Sequence, residues 1–288
     1  MNTNGLLTTP MSSSLTQNAS AGRDTLFTAL DADAIAELHL AKDLLEHRSL
    51  PYRFLMTLGI PVDHAFAVLP HAVREAIAKG TRAALTKMTD FVISNTMNED
   101  STSDQTLIHR WGVMLSGGLC GLGGAITLPM EITISTSLML RSIAVLARNH
   151  GEDMRSPGCR LACIEVFGLG GSLNPGESTL SSYYASRTLF AQEMRAAMAY
   201  MAASAQPASA VRPHLVRLIE LIAPRLGVML EEKFLAQSIP ILGAIGGATL
   251  NAMFLDHYQR TARGHFIIRR LERKFGAEQV RKASASLD

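Results

Sequence analysis

Glu131 is the residue whose surroundings most invite chemistry. It lies in LPMEITISTSLML, among Met130, Ile132, Ile134, Leu138 and Met139. A carboxylate held among such side chains can acquire a raised pKa, act as a general acid or base, or pair with a cation. Its place in the first turn after Pro129 also suits a plainer role, facing the positive end of a helix dipole. Lys233, in LEEKFLAQ, could neutralise it, although a solvated salt bridge is the commoner fate of such a lysine. Arg141 stands ten residues beyond Glu131, too far along one helix to reach it, so each needs a partner from elsewhere.

A second group, Asp256, His257 and His265, occupies LDHYQRTARGHF. Helical spacing pairs Asp256 with Arg260 and His257 with Thr261, and leaves His265 about one residue off the two-turn position from His257. Glu131, Asp256 and His265 are therefore the candidate catalytic residues, and Arg141, Lys233 and His257 the candidate ligand-binding ones. A metal site needs at least three convergent ligands. Glu131 with His257 and either Asp256 or His265 would meet that only across packed helices. Cys159 and Cys163, four apart with Glu165 nearby, are a weaker hint. No metal and no cofactor is expected. Tyr183 and Tyr184 read as packing residues with wet hydroxyls.

Several reaction classes lack their mechanical parts. The chain has no GxxxxGK[ST] phosphate loop, no HExxH, no paired CxxC and no GxSxG elbow, which removes nucleotide hydrolysis, zincin, zinc-ribbon and standard serine-hydrolase chemistry. Its glycine clusters follow no predicted strand, so a dinucleotide fold is not expected either.

The elements that must position these residues read as helices throughout. Ala34, Ile35, Leu38, Leu40, Ala41, Leu44 and Leu45 recur at helical spacing between Asp31 and Leu50, where Pro51 follows. In HAVREAIAKGTRAALTKMTDFVISNT, Val73, Ile77, Ala84, Met88 and Phe91 form an apolar stripe interrupted by Gly80. A glycine-rich elbow, Gly117 to Gly124, leads to Pro129, a suitable first-turn proline, and to a helix that Gly151 closes near Asn149. Further helices are predicted over Pro157–Leu169, Ser182–Ala203 and Pro213–Ile222. GVML and GGA, at Gly112 and Gly123, recur at Gly227 and Gly246, so a second glycine elbow is expected to feed a second long helix beside the first. Period-two alternation is nearly absent. The expectation is an all-α fold: a polar leader over 1–24, one helical domain over 25–276 built on two elbow-fed central helices, and a C-terminal tail over 277–288.

Composition adds where such a protein works. It is 47% hydrophobic and only 18% charged, with a mean hydropathy of +0.15, more apolar than an average soluble domain with about 25% charged residues. Three cysteines, Cys120, Cys159 and Cys163, are too few for a disulfide framework and point to a reducing compartment. Net charge is +2, but from Gln259 to Lys282 eight basic residues face two acidic ones. Arg260, Arg263, Arg269, Arg270, Arg273 and Lys274 of that stretch are the candidate contacts to an anionic surface, with a solvated helix face as the plain alternative. Aromatic residues are only 6% and no base-reading motif is present, so nucleic acid is not an expected partner.

GGAITLPMEITISTSLMLRSIAVLARNHGED, then CRLACIEVFGLGG, SSYYASR and EEKFLAQSIPILGAIGGATLNAMFLDHYQRTARGHFIIRRLERKFG resemble, in order and with similar gaps, the pattern of the EcsC family of bacterial proteins over roughly Leu50 to Gly276. That resemblance implies a helical protein in a membrane-transport neighbourhood. The family takes its name from an operon that also encodes an ABC-type transporter linked to secretion and processing, and it has no established catalytic mechanism. Two functions follow. One is a membrane-associated accessory or regulatory protein, cytoplasmic and peripheral at the inner membrane, partnered by an anionic membrane surface or a membrane protein. The other is an enzyme or small-ligand protein with a polar site between the two long helices.

Overall fold

The computed structural model describes residues 30–46, 69–94, 128–169, 179–202, 208–238 and 247–287. Among them are eight helices and no strand: α1 (Ala32–Glu46), α2 (His71–Ser94), α3 (Leu128–Asn149), α4 (Pro157–Leu169), α5 (Thr179–Ala202), α6 (Ala208–Ser238), α7 (Gly247–Phe275) and α8 (Ala277–Ala285). The protein is all-α. The polar leader, the first elbow from Gly117 to Gly124 and the Gly246 of the second lie outside the described residues.

The two long helices expected at the centre, α3 and α7, do pack together, and the Gln259 amide donates to the Ser142 hydroxyl between them at 2.6 Å. The buried hydroxyls of α3 are satisfied locally. Thr133 and Thr136 donate to the carbonyls of Pro129 and Ile132, four residues back, at 2.7 and 2.6 Å. That makes a polar-looking helix face compatible with the interior.

The short helix α4 is the true centre. Every residue from Cys159 to Leu169 is buried, and it touches α2, α3, α5, α6 and α7. A helix enclosed on all sides must satisfy its own polar groups from its neighbours. Arg160 does so by donating to the carbonyls of Met154 and Arg155 at 3.2 and 3.1 Å.

The sequence pattern suggests a helix over Pro213–Ile222, yet α6 runs unbroken through Pro224 to Ser238. An interior proline costs a helix about 3 kcal/mol. Leu215, Leu218, Ile222, Leu226, Met229, Leu230 and Phe234 form one continuous buried ridge on both sides of it. At about 1.5–3 kcal/mol for each large buried side chain, that ridge outweighs the proline. GVML at Gly227 therefore lies within a helix and not at an elbow. Beyond Gly276, whose φ of 91° turns the chain as only glycine does easily, α8 packs back with Val280 and Ser284 buried.

Helix approach is closest at glycines. A Cβ on Gly80 would stand 2.9 Å from both the Pro129 Cα and the Ile132 Cδ1, so the bare spot in the α2 stripe is where α3 crosses. A Cβ on Gly227 would meet nothing within 4 Å. Gly80→Ala is therefore expected to destabilise the fold by about 1–2 kcal/mol, overpacking against backbone exceeding the gain in helix propensity. Gly227→Ala should stabilise it by up to about 1 kcal/mol. Urea unfolding of both variants checks the pair, and a shift of the same sign in both would contradict this packing.

Candidate functional site

Three clusters of ionisable groups lie inside the bundle, each made by side chains from different elements. The first is Glu131 of α3 with Lys233 of α6. Nζ donates to Oε1 at 3.0 Å, with the two side chains 0% and 2% exposed for lysine and glutamate respectively. Lys233 also lies over the rings of Phe234 and Phe254, at 5.1 and 5.8 Å from their centroids. Burial depresses its pKa and Glu131 opposes that. The solvated bridge suggested by the neighbouring glutamates is not what forms.

The second cluster grows from the end of α3. Gly151, at φ 77°, stops the helix: its N–H bonds the Arg148 carbonyl at 2.9 Å and the Glu152 N–H reaches back to the Ala147 carbonyl at 3.0 Å. This double bond pattern around a left-handed glycine is the Schellman closure. It turns Glu152 into the protein, where Arg269 Nε donates to Oε1 at 3.0 Å and Nη2 to Oε2 at 3.2 Å. Arg273 joins through Nη1, and the Cys159 thiol donates to Oε2 at 2.8 Å. Burial alone would raise the Glu152 pKa, but these donors hold it at about 2. The same burial, and the carboxylate beside it, push the Cys159 thiol up to about 11, so it is a structural thiol and not a nucleophile.

The third cluster joins α4, α5 and α7. Tyr183 Oη and His265 Nδ1 are 2.9 Å apart, and His265 Nε2 is 3.6 Å from Glu165 Oε2. Beside them Arg187 grips Glu272 with two hydrogen bonds of 2.6 and 3.0 Å, its guanidinium 5.4 Å from the Tyr183 ring centroid. Burial drives the Glu165 pKa up to about 7 and, aided by Arg187 and Arg269, the His265 pKa well down. The 3.6 Å contact is therefore not an ion pair at neutral pH but a neutral imidazole facing a half-protonated carboxyl. With Tyr183, whose pKa burial raises, donating to Nδ1, the imidazole proton sits on Nε2 and points toward Glu165.

The residues singled out by sequence thus do not converge. Glu131 and Lys233 meet in one cluster and His265 belongs to another. Arg141 is exposed, and Asp256 pairs with Arg260 on the surface of α7 at 2.6 Å, as their spacing predicts. His257 is buried, its ring edge-on to Tyr258 at 5.2 Å. Sequence reading missed Glu152, Arg187 and Glu272, and took Tyr183 for a packing residue with a wet hydroxyl, whereas that hydroxyl is buried on His265. It weighed Glu165 only as a companion to the two cysteines. The available signal was a lone carboxylate in the apolar run CIEVFGL. Among the described residues no three His, Cys, Asp or Glu side chains are placed to hold a metal ion.

The basic face of α7 is largely engaged within the protein. Arg269 and Arg273 turn inward to Glu152, Arg270 meets Glu37 of α1 at 2.8 Å, and Lys274 meets Asp31 at 3.4 Å. Asp31 also caps α1 by accepting the Ala34 N–H at 2.8 Å. Arg263 alone among the six proposed surface contacts is exposed with no ion pair to a described residue.

Fold and interior together define an all-helical protein in which the buried carboxylates Glu131 and Glu152 are matched by cations from other helices. The family model of the EcsC protein family matches residues 34–271, and the chain belongs to that family. No curated protein and no solved structure matches it.

Two outcomes are expected. Lys233→Met should destabilise the protein by about 3–5 kcal/mol by stranding the Glu131 carboxylate, while adding Glu131→Leu should restore most of it; urea unfolding of the double-mutant cycle measures this. Glu165 has a folded pKa raised above 4.5 to about 7. Its contribution is therefore full below the unfolded value and lost as pH rises through the folded one. Wild type should gain about 2 kcal/mol over Glu165→Gln between pH 7 and pH 5. His265 is common to both proteins, so its own loss on acidification cancels. A pH-independent difference would contradict the assignment.

Proposed function

We propose that this protein works by binding and not by catalysis, as an accessory or regulatory protein held at the inner face of the cytoplasmic membrane. The observation that carries the noncatalytic part is the closure of the polar clusters. Glu131, Lys233, Glu165 and His265 are each buried to within a few per cent of completely, and their partners are other protein groups. A group that no substrate can touch stabilises a fold but does no chemistry on a ligand.

What supports the membrane part is the outward strip of α3. By length and apolarity α3 could cross a bilayer, but two-thirds of its apolar window is buried in the bundle, which is how a core helix behaves. The strip left outside runs from Met130 and Ile134, exposed at 56% and 40%, to the exposed Arg141. Between Met130 and Arg141 the helix rises about 16 Å. An apolar end followed by a cation is the pattern of an interfacial contact, in which side chains enter the acyl boundary while arginine meets lipid phosphates. With Arg269 and Arg273 engaged by Glu152, Arg270 by Glu37 and Lys274 by Asp31, α3 offers the clearer surface.

In flotation with vesicles rich in anionic lipid at low salt, the full chain is expected to rise with lipid. Met130→Glu combined with Ile134→Glu should lower the bound fraction about tenfold, since two buried side chains are worth upward of 1.4 kcal/mol together. Equal recovery of wild type in the soluble fraction with and without lipid would remove the reading.

A further inference from the structure

A further group of ionisable side chains lies at the partly exposed seam where α5 packs against α6. Glu193 of α5 meets two residues of α6 that stand one turn apart. His214 Nδ1 is 3.0 Å from its Oε2, and Arg217 Nη1 is 3.8 Å from its Oε1. Tyr200, two turns along α5 from Glu193, stacks its ring on the imidazole, with 5.2 Å between centroids and 29° between planes. The imidazole is thus held by a carboxylate at one edge and an aromatic ring on one face. None of these residues belongs to the three buried clusters.

A carboxylate accepts and does not donate, so the proton of the neutral His214 ring sits on Nδ1 and the lone pair is left on Nε2. That nitrogen bonds no described residue and, unlike Nε2 of His265, is not sealed from solvent. The His214 side chain is 25% exposed and Glu193 13%, so the free edge of the ring is open while the carboxylate behind it is better covered. This order makes an imidazole a nucleophile: positive charge that develops on the ring as Nε2 forms a bond is met by the carboxylate. Other described histidines lack part of it. His257 and His265 are buried, and His150 turns Nδ1 to the uncharged Leu146 carbonyl. His39 is exposed, with no ion pair to a described residue.

Arg217 narrows the class of electrophile. Its guanidinium is 67% exposed and has Glu193 as its one ion-pair partner among the described residues, at 3.8 Å. It is free to swing toward an anion at His214, one helical turn away. Guanidinium geometry matches the oxygens of a phosphoryl group.

We propose that His214 Nε2 is a phosphoacceptor, taking a phosphoryl group from a phosphoramidate or acyl phosphate donor. The Nε2 lone pair attacks phosphorus, the bond from phosphorus to the donor nitrogen or oxygen breaks, and its electron pair leaves with the donor, as ammonia from the phosphoramidate zwitterion. The ring is cationic while Nε2 carries the phosphoryl group and Nδ1 its proton. Glu193 balances that charge, and Arg217 meets the phosphoryl oxygens. Nothing is oxidised or reduced. Such a residue is modified and not catalytic, which makes it a means of regulation, and it stands on other helices than the α3 membrane contact and independently of it.

The test is treatment of the full chain with potassium phosphoramidate near neutral pH, followed by peptide mass mapping over time and phosphorus NMR of the product. His214 is expected to be phosphorylated on Nε2, at least about tenfold faster than His39 although it is less exposed. That ratio is modest beside the roughly 10⁴-fold loss when the carboxylate behind a buried catalytic histidine is replaced. Glu193→Gln and Arg217→Ala should each slow the His214 reaction about tenfold and leave the His39 rate unchanged, with circular dichroism checking that both variants remain helical. A His214 rate no higher than that of His39, a product on Nδ1, or an undiminished rate in a folded Glu193→Gln protein would overturn the proposal.

Discussion

Glu152 is the group on which the arrangement of the helices turns. One carboxylate receives Arg269 and Arg273 from α7 and the Cys159 thiol from α4, and it reaches all three because Gly151 ends α3 at the right place. Burying an ion pair is rarely a net gain, since desolvation offsets most of the attraction. Its effect is directional: any other docking of α7 on the α3–α4 turn would leave the Glu152 carboxylate, 2% exposed, buried without its cations. That penalty of several kcal/mol per group makes one packing far better than its neighbours. Arg270 with Glu37 and Lys274 with Asp31 extend the same discrimination to α1, at exposures where each pair is worth less than about 1 kcal/mol.

His265, Arg269, Glu272 and Arg273 fall at successive helical spacings on α7, and this inward stripe links the second and third clusters. Within it two opposite pH dependences are set against each other. Glu165 favours the fold when protonated, and His265 favours it when neutral, because the same desolvation penalises the charged form of both. The carboxyl is stabilised on acidification below about 7, where the imidazole is still excluded from charging. The interior is therefore best matched to a window in which both groups are neutral. Moving far to either side introduces a buried charge near Arg187 and Arg269, tolerable for the carboxylate and costly for an imidazolium.

What the sequence disclosed, and what it hid, follows from the range of each interaction. Relations within one helix were readable from spacing: Asp256 with Arg260, the apolar stripe of α2 with its gap at Gly80, the closure of α3 at Gly151. Glu131 and Lys233 were each visible as charges in apolar surroundings, but their meeting across 102 positions depends on how α6 lies on α3, which no local pattern encodes. The same holds for Glu152 with Arg269. The run of cations on α7 looked like an outward-facing charge because sequence counts charges without showing their counter-ions on other helices. Pro224 misled in the opposite direction, since propensity marked an end where the buried ridge from Leu215 to Phe234 carries the helix through.

These facts bear on where function can reside. Among the described residues only Glu131, Glu152, Arg160, Glu165, Glu232 and Lys233 are buried charged residues, and the exposed ones count by their positions, not merely by their sum. Arg141 ends an exposed apolar strip on α3. It combines a cation with uncovered hydrocarbon, which in water gains nothing from its surroundings, while a lipid interface satisfies both parts at once. The interior is the opposite case: Glu131 and Glu152 already hold Lys233, Arg269 and Arg273, so a ligand there would displace a partner rather than supply one. On that contrast the exposed strip of α3 is the surface proposed for binding in this EcsC family member, and the α7 residues that pair with Glu152 help to hold α3 in place.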